Sequence, residues 1–194
     1  MPALRLSALG FDVVLALGSA PDGMRLSEVA SAIASPPSSV QRVLGTLREA
    51  GVVVRSGGRT PLHRLNPDHP ARDELVRVAA VLPEPAHALA IVLRSSPAVT
   101  FASYDGIGFV VAVDDRGAEA IAALDTQLGA VAGARLTTPD VLRVAADELA
   151  HLLEIMPGLR VRVRAGLLVK GRAPPGSMGP AAKRPGQADR SKAG

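Results

Sequence analysis

The most informative stretch of the sequence is residues 25–66, RLSEVASAIASPPSSVQRVLGTLREAGVVVRSGGRTPLHRLN. Ser27 stands where a helix N-cap is expected, and apolar residues follow it at helical spacing. The helix should end by Ser35, because Pro36 and Pro37 disfavour helical geometry in the residue that precedes each of them. The pattern therefore predicts a short helix that ends in a tight turn.

A second helix is predicted to begin at Pro37, where a proline in the first turn costs no hydrogen bond, and to be closed by Gly51. Its apolar stripe consists of Val40, Val43, Leu44 and Leu47. Its other face is polar and consists of Ser38, Ser39, Gln41, Arg42, Thr46 and Arg48. Gln and Arg can pair with base edges in a major groove, and hydroxyls can contact phosphates. Residues 37–50 are therefore a candidate recognition helix.

A β-hairpin is predicted over residues 52–65, with strands Val52–Val54 and Leu62–Leu65 joined by a turn at Gly57 and Gly58. It carries four side chains that can be cationic, namely Arg55, Arg59, His63 and Arg64. A helix, a tight turn, a second helix and a basic hairpin in this order resemble the winged helix-turn-helix of bacterial transcriptional regulators. The resemblance covers about a third of the chain. It implies binding to double-stranded DNA, with the second helix in the major groove and the hairpin, or wing, on the backbone.

The side chains predicted to contact DNA are Ser38, Ser39, Gln41, Arg42, Thr46, Arg55, Arg59 and Arg64. Similar modules also serve in dimerisation or protein binding without touching DNA, and an exposed arginine is often only solvated. The turn, the polar face and the basic wing together favour DNA. We also expect a homodimer, because one module makes too few base contacts to define a specific site.

Composition narrows the class of protein. The chain has 194 residues and no cysteine, so it has no disulfide, thiolate metal site or catalytic thiol. Its four histidines show no metal-ligand spacing. No apolar run approaches the ~20 residues of a membrane span, and the N-terminus lacks a signal-peptide pattern. We expect a soluble cytoplasmic protein with no metal or cofactor.

Charge is unevenly distributed along the chain. Residues 25–72 have seven basic and three acidic side chains (+4), residues 73–159 have five and twelve (−7), and residues 160–194 have nine and one (+8). Phosphate repels an acidic surface, so of the first two regions only the basic one is expected to face DNA, while the acidic middle region is a candidate site for a protein partner. The basic third region is either a solubilising end or an arm that adds nonspecific attraction to DNA. Residues 173–194 are rich in Pro, Gly, Ala, Ser and Lys, which predicts a disordered basic tail.

The flanking sequence predicts a helix before the module and a mixture of helices and strands after it. The predicted helices are Leu4–Leu17, Ala71–Leu82, Ala86–Leu93, Ala118–Leu128 and Thr138–Leu153. The predicted strands are Ala98–Ala102, Phe109–Val113 and Ala134–Thr137, with Leu159–Val163 as an edge strand or turn and Gly166–Lys170 as a last short apolar piece. The second of these strands is apolar throughout, so we expect it to be central in a sheet.

Two phrases in this half, AVTFASYDGIGFVVAVDD (residues 98–115) and LTTPDVLRVAADELAHLLEIMPGLRVRVRAGLLVKG (residues 136–171), resemble the nucleotidyltransferase domain of the DNA polymerase β superfamily. The resemblance implies a Gly-Ser pair after the first strand and two metal-binding carboxylates near the second. Ser103 keeps the serine, but Ala102 replaces the glycine. The carboxylate positions fall on Gly106 and Gly108, or on Ile107 and Phe109 one residue later.

Without paired carboxylates the domain cannot hold two catalytic metal ions. Asp105 is interpreted as a turn former, and Asp114 and Asp115 would point to opposite faces of a strand. The predicted domain is therefore a degenerate, noncatalytic one. An active nucleotidyltransferase that uses the winged helix for targeting remains an alternative, as does an antitoxin-like interaction protein.

The predicted fold class is α+β, with four parts. They are a winged helix-turn-helix at residues 1–68, linking helices at 69–95, a small mixed α/β nucleotidyltransferase-like domain at 96–172 and the tail at 173–194. The predicted function is that of a sequence-specific DNA-binding transcriptional regulator.

Overall fold

A computed structural model describes residues 6–58, 60–114, 117–133 and 138–172. It has an N-terminal helical module with a two-stranded wing, followed by a domain built on a four-stranded sheet, which agrees with the predicted α+β class. The elements are α1 (Ala8–Gly18), α2 (Leu26–Ala32), α3 (Pro37–Glu49), β1 (Val53–Ser56), β2 (Leu62–Leu65), α4 (Arg72–Val81), α5 (Pro85–Ser95), β3 (Val99–Tyr104), β4 (Gly108–Val113), α6 (Ala118–Gly133), β5 (Asp140–Ala145), α7 (Leu149–Ile155), α8 (Pro157–Ala165) and β6 (Leu167–Lys170).

Helix α1 lies at the centre of the molecule. Ser7 caps it by accepting a hydrogen bond from the Gly10 N–H at 3.2 Å, so the helix begins later than the predicted start. Leu4, the predicted first residue, lies outside the described residues. The five residues from Val13 to Leu17 are all buried, because α2 and α3 cover one side of α1 and α4 and α5 cover another.

The helix-turn-helix forms as predicted, except at its first residue. The N-cap of α2 is Arg25 and not Ser27, which lies in the first turn. The Arg25 N–H donates to Glu28 Oε2 at 2.7 Å, and the Arg25 carbonyl oxygen accepts from the N–H groups of Glu28 and Val29 at 3.0 Å, so the helix begins before Ser27. The turn passes through Ala34, whose φ is +51°, and α3 then begins at Pro37 as predicted.

The wing is an antiparallel hairpin. Strand β2 has the predicted bounds, whereas β1 begins one residue later and ends two residues later than predicted. A third short segment joins the wing at its base, because Met24 and His63 exchange two backbone hydrogen bonds of 2.8 Å. Gly23, which precedes this bridge, has a φ of +87°, and a Cβ there would lie 2.9 Å from the His63 carbonyl oxygen.

The sheet of the second domain has the strand order β5-β4-β3-β6. β3 pairs antiparallel with β4 and β6, and β4 pairs parallel with β5. Every residue of β4 is buried, which confirms its predicted central position. Its side chains alternate between two cores. Phe109, Val111 and Val113 belong to the core shared with α5 and α6, whereas Val110 and Ala112 pack with α7 and α8.

Two of the predicted elements in this domain are wrong. The predicted helix from Thr138 to Leu153 is instead β5 followed by α7. β5 forms because it pairs in parallel with β4 along its whole length, and this tertiary pairing outweighs the local helix-start signal at Pro139. The predicted edge strand or turn at Leu159–Val163 is part of α8, where these two residues, four apart, are buried on one helix face. The predicted strand Ala134–Thr137 and the predicted tail lie outside the described residues.

One apolar core connects the winged module to the sheet. It runs from α1 through α2, α3 and the base of the wing to α4, α5, α6 and one face of β3 and β4. Because α1 contributes buried residues to this core on several sides, the packing continues across the predicted domain boundary near residue 68.

Candidate nucleic-acid interface

Helix α3 presents a polar face to solvent. Val40, Leu44 and Leu47 are buried on its inner side, which fixes the orientation of the helix. On its outer side the predicted contact residues Ser38, Gln41, Arg42 and Thr46 are exposed, and Ser39 is half-buried at the edge. The apolar stripe therefore places the predicted polar set on one accessible surface.

The side chains on this face are largely uncommitted. The Thr46 hydroxyl donates to the Arg42 carbonyl oxygen at 3.3 Å, which leaves its oxygen free to accept a hydrogen bond. Among the residues that the structure describes, no carboxylate lies within salt-bridge distance of Arg42 or Arg48. Both guanidinium groups can therefore bind an anionic partner without first breaking an ion pair.

The register of the wing separates its arginines. Arg55 pairs with His63, and Arg64 pairs with Val54 at the next position. Paired side chains share a face and successive side chains alternate, so Arg55 lies on the face that carries His63 and Arg64 on the opposite face. Both arginines are exposed. Arg59, the third predicted wing contact, lies outside the described residues.

A cationic cluster joins the end of α3 to the wing. Burial, with Arg55 and Arg48 nearby, lowers the pKa of His63 below its usual value, which keeps the imidazole neutral at pH 7. This effect places Arg48 close to the base of the wing, although the sequence does not single out Arg48 as a DNA contact. The sequence shows that Arg48 lies on the polar face of α3. Its proximity to His63 could not be predicted, because it depends on how the wing packs against α3.

The second domain is predicted to be a degenerate nucleotidyltransferase-like domain, and the side chains at its β3–β4 turn contact each other and the backbone. Ser103 is buried, and its hydroxyl has no hydrogen-bond partner in the described part of the chain. Asp105 Oδ1 accepts from the N–H groups of Ile107 and Gly108 at 3.0 and 2.8 Å, and Oδ2 pairs with Arg162 Nε. These contacts hold the pKa of Asp105 at about 2. Asp105 thus forms the β3–β4 turn, as its sequence context predicts.

No group of three or more His, Cys, Asp or Glu side chains within residues 6–58, 60–114, 117–133 and 138–172 is arranged to hold a metal ion. None of the helices in the same ranges is long and apolar enough to cross a membrane.

Comparison with known proteins agrees with the N-terminal geometry. Residues 10–57 match the family model of the IclR helix-turn-helix domain. This segment runs from within α1 to one residue past β1, so the module is similar to the IclR helix-turn-helix domain. No curated protein and no solved structure matches the chain. The match supports a DNA-binding transcriptional regulator.

Proposed function

We propose that the protein is a sequence-specific transcriptional regulator in which α3 reads bases in the major groove and the wing contacts the DNA backbone. The observation that supports this proposal most directly is the exposed polar face of α3 on a module of the IclR helix-turn-helix type. Arg42 and Arg48 lie on this exposed face and Arg55 lies on the wing, and a set of cations on the helix and the wing suits a phosphate-lined groove.

The contacts divide into two groups. Ser38, Ser39, Gln41 and Arg42, in the first half of α3, are assigned to base edges, since recognition helices contact bases mainly through their N-terminal residues. Thr46, Arg48, Arg55, Arg59 and Arg64 are assigned to phosphates, or to the minor groove for the wing residues. Arg48 is added to the predicted set because it lies in the cluster with Arg55 and His63.

We also propose that the active form is a homodimer. A single module of this size reads only a few base pairs, whereas two modules on half-sites one helical turn apart double the number of base contacts.

The sheet domain is proposed to be noncatalytic. The positions where a nucleotidyltransferase needs carboxylates fall on Gly106 and Gly108, or on Ile107 and Phe109 one residue later, and neither pair is acidic. Both oxygens of Asp105 are already engaged. Incubation with labelled nucleotides in Mg²⁺ or Mn²⁺ should give no labelled product. Label transfer by the purified protein that is abolished in Asp105→Asn would contradict this proposal.

Selection from genomic DNA tests the regulatory function. Purified protein is mixed with fluorescent genomic fragments, including the region upstream of its own gene, in the presence of competitor DNA and over a series of salt concentrations. The wild-type protein should retain one or a few fragments at high salt, and Arg42→Ala should lose this preference. Arg77→Ala is the matched control, because Arg77 is exposed on α4 and pairs with Glu74 away from the interface. Equal retention of all fragments by the wild-type protein would contradict sequence-specific binding.

A further inference from the structure

A cleft of about 680 Å³ lies between the helix-turn-helix and the sheet domain. One wall is formed by Met24, Ser27, Glu28 and neighbouring residues of the module. The other wall is formed by the end of α5 and the end of β6, and it includes Arg94, Ser95 and Lys170. The volume lies within the range of pockets that hold small organic molecules.

Arg94 connects the two walls of the cleft. Its Nη1 donates to the carbonyl oxygen of Ala32, the last residue of α2, at 3.1 Å. Its Nε donates to the Val169 carbonyl oxygen of β6 at 3.3 Å. A guanidinium has five N–H donors, so most of its hydrogen-bonding capacity remains unused by these two contacts. Arg94 therefore joins the end of α2, just before the turn that leads into α3, to β6 at the edge of the sheet.

Lys170 is a second cation on the same wall. Its ammonium group donates to the Ser96 carbonyl oxygen, and burial lowers its pKa to about 8. Burial likewise lowers the pKa of Arg94. Within the described ranges, no carboxylate lies within salt-bridge distance of either group. Partly buried cations without a counterion are costly, and an anion in the cleft would remove that cost.

A buried hydroxyl adds a neutral donor to this wall. Ser95 is 6% exposed and lines the cleft, and its hydroxyl oxygen has no hydrogen-bond partner among the described residues. Buried polar atoms in proteins are almost always paired, so the Ser95 hydroxyl is a candidate donor to a ligand that enters the cleft. Arg, Lys and Ser together supply the donors that proteins use to bind oxyanions.

Two carboxylates also line the cleft, on the opposite wall. Glu28 is already engaged, since its Oε2 accepts from the Arg25 N–H at the start of α2. Asp22 is exposed to solvent, where its charge is screened. Neither carboxylate lies within salt-bridge distance of Arg94 or Lys170, so neither occupies the cationic wall.

We propose that this cleft binds a small molecule through an oxyanion group, either a phosphoryl or a carboxylate group, held by Arg94, Lys170 and Ser95, and that binding changes the affinity of the protein for DNA. Because Arg94 also donates to the Ala32 carbonyl oxygen, a ligand bound to the guanidinium would change how Arg94 lies against α2 and so alter the position of α2 and the turn before α3. The ligand site stands independently, whereas its effect on DNA rests on the proposed regulatory function.

The binding site is tested by titrating the full chain with inorganic phosphate, glucose 6-phosphate, succinate and citrate, with glucose and dimethyl succinate as uncharged controls. We expect at least one anion to bind with a Kd of about 1 mM or tighter by calorimetry, with no binding of the uncharged controls. The two pairs of anions distinguish phosphoryl from carboxylate ligands. Absence of binding by all four anions, or equal binding of the uncharged controls, would overturn the proposal.

Two variants locate the site. Lys170→Gln should weaken anion binding at least about tenfold, as expected when one charged hydrogen bond is removed. Arg94→Gln should also weaken anion binding at least about tenfold. Arg77→Gln is the control, because Arg77 is exposed and lies outside the cleft, and it should bind the anion with wild-type affinity. Lys170→Gln keeps the Arg94 link between the walls, so it separates loss of the site from loss of the fold. Wild-type affinity in both cleft variants would place the anion elsewhere and overturn the proposal.

The effect of the anion on DNA binding is measured on the same samples. DNA affinity is determined with and without the anion that binds, in the wild-type protein and in Lys170→Gln. An anion-dependent change of at least about threefold in the wild type, absent in Lys170→Gln, supports coupling. Anion binding with unchanged DNA affinity would overturn the coupling. A protein that binds the anion but no DNA would contradict the proposed regulatory function and leave the site intact, so the two failures can be distinguished.

Discussion

At the scale of single residues, the cations of the wing differ in what surrounds them. Arg55 lies on the same face of the hairpin as His63, whose pKa is lowered by both Arg55 and Arg48, whereas Arg64 lies on the other face. Arg55 is therefore the described wing residue best placed to act together with the recognition helix.

Replacement of Arg55 by alanine should weaken DNA binding by a similar factor for all sequences, because a phosphate contact carries no base information. The slope of log K against log salt should become shallower by ~0.9, since the protein then neutralises one phosphate fewer. The same substitution removes a positive charge near His63, so the pKa of His63 should rise in an NMR titration. An unchanged salt slope would remove Arg55 from the backbone contacts, and Arg77→Ala serves as the control for the change in net charge.

A second prediction for a single residue concerns Asp105 and the free energy of unfolding. Asp105→Asn should destabilise the fold by about 1 to 2 kcal/mol, since it removes the charge-assisted hydrogen bond to Arg162 while keeping a side chain that can accept from the turn. The measurement is urea unfolding of both proteins over a range of pH.

The pKa of Asp105 is lower in the folded protein than its usual value of 3.8. Its contribution to stability is therefore complete above about pH 4 and is lost as the pH falls towards 2. The difference in stability between the wild type and Asp105→Asn should shrink over this interval. A constant difference down to pH 2 would show that the carboxylate charge is not what stabilises the turn.

At the scale of elements, the sequence predicts the helix-turn-helix well because its signals are local. The proline pair at Pro36 and Pro37 ends one helix and begins the next, and the apolar spacing of α3 sets its buried face. The predicted N-cap is wrong because the N–H groups of Glu28 and Val29 already donate to the Arg25 carbonyl oxygen, so the helix begins before Ser27. The polar face of α3 can be predicted as well, because it follows from the spacing of residues within one helix.

The second domain is harder to predict because its signals are not local. Residues 138–145 carry a helix-start pattern, but pairing with β4 makes Asp140–Ala145 a strand. The Arg48–His63 proximity and the cleft beside Arg94 likewise depend on contacts between residues distant in sequence. No spacing rule along the chain encodes such contacts.

The attachment of the wing gives an element-scale prediction. Gly23→Ala should destabilise the protein by about 1 to 3 kcal/mol, because the new Cβ would lie 2.9 Å from the His63 carbonyl oxygen in a backbone conformation with φ of +87°. The control is Gly45→Ala in α3, where a Cβ meets no atom within 4 Å and where alanine favours the helix. Thermal unfolding should therefore show a lower Tm for the first variant and an equal or higher Tm for the second. Equal Tm values for the two variants would contradict the close contact.

At the scale of the whole molecule, α1 belongs to both halves of the structure. Its buried residues contact the helix-turn-helix and the helices that cover the sheet, and all of them lie in one core. The proposed coupling between the cleft and the module would pass through this shared core, because packed interiors do not deform locally without cost.

The shared core predicts cooperative unfolding. Leu15→Ala should destabilise the protein by about 2 to 5 kcal/mol, because Leu15 is fully buried in α1. Unfolding should remain a single transition, with the same midpoint by circular dichroism and by amide exchange in both halves. Two separate transitions, with only the helix-turn-helix affected, would mean that the halves fold independently.

The central claim is that the exposed face of α3 reads base pairs, and the most direct test is made on the DNA fragment selected from the genome. Each base pair of the bound site is substituted in turn, and affinity is measured for the wild-type protein and for Arg42→Ala. Substitution of a base pair should cost the wild type about 1 to 3 kcal/mol of binding free energy at a few positions. In Arg42→Ala the cost should disappear at one of these positions and stay the same at the others. A uniform loss of affinity in Arg42→Ala, with the same preference at every position as the wild type, would contradict the claim.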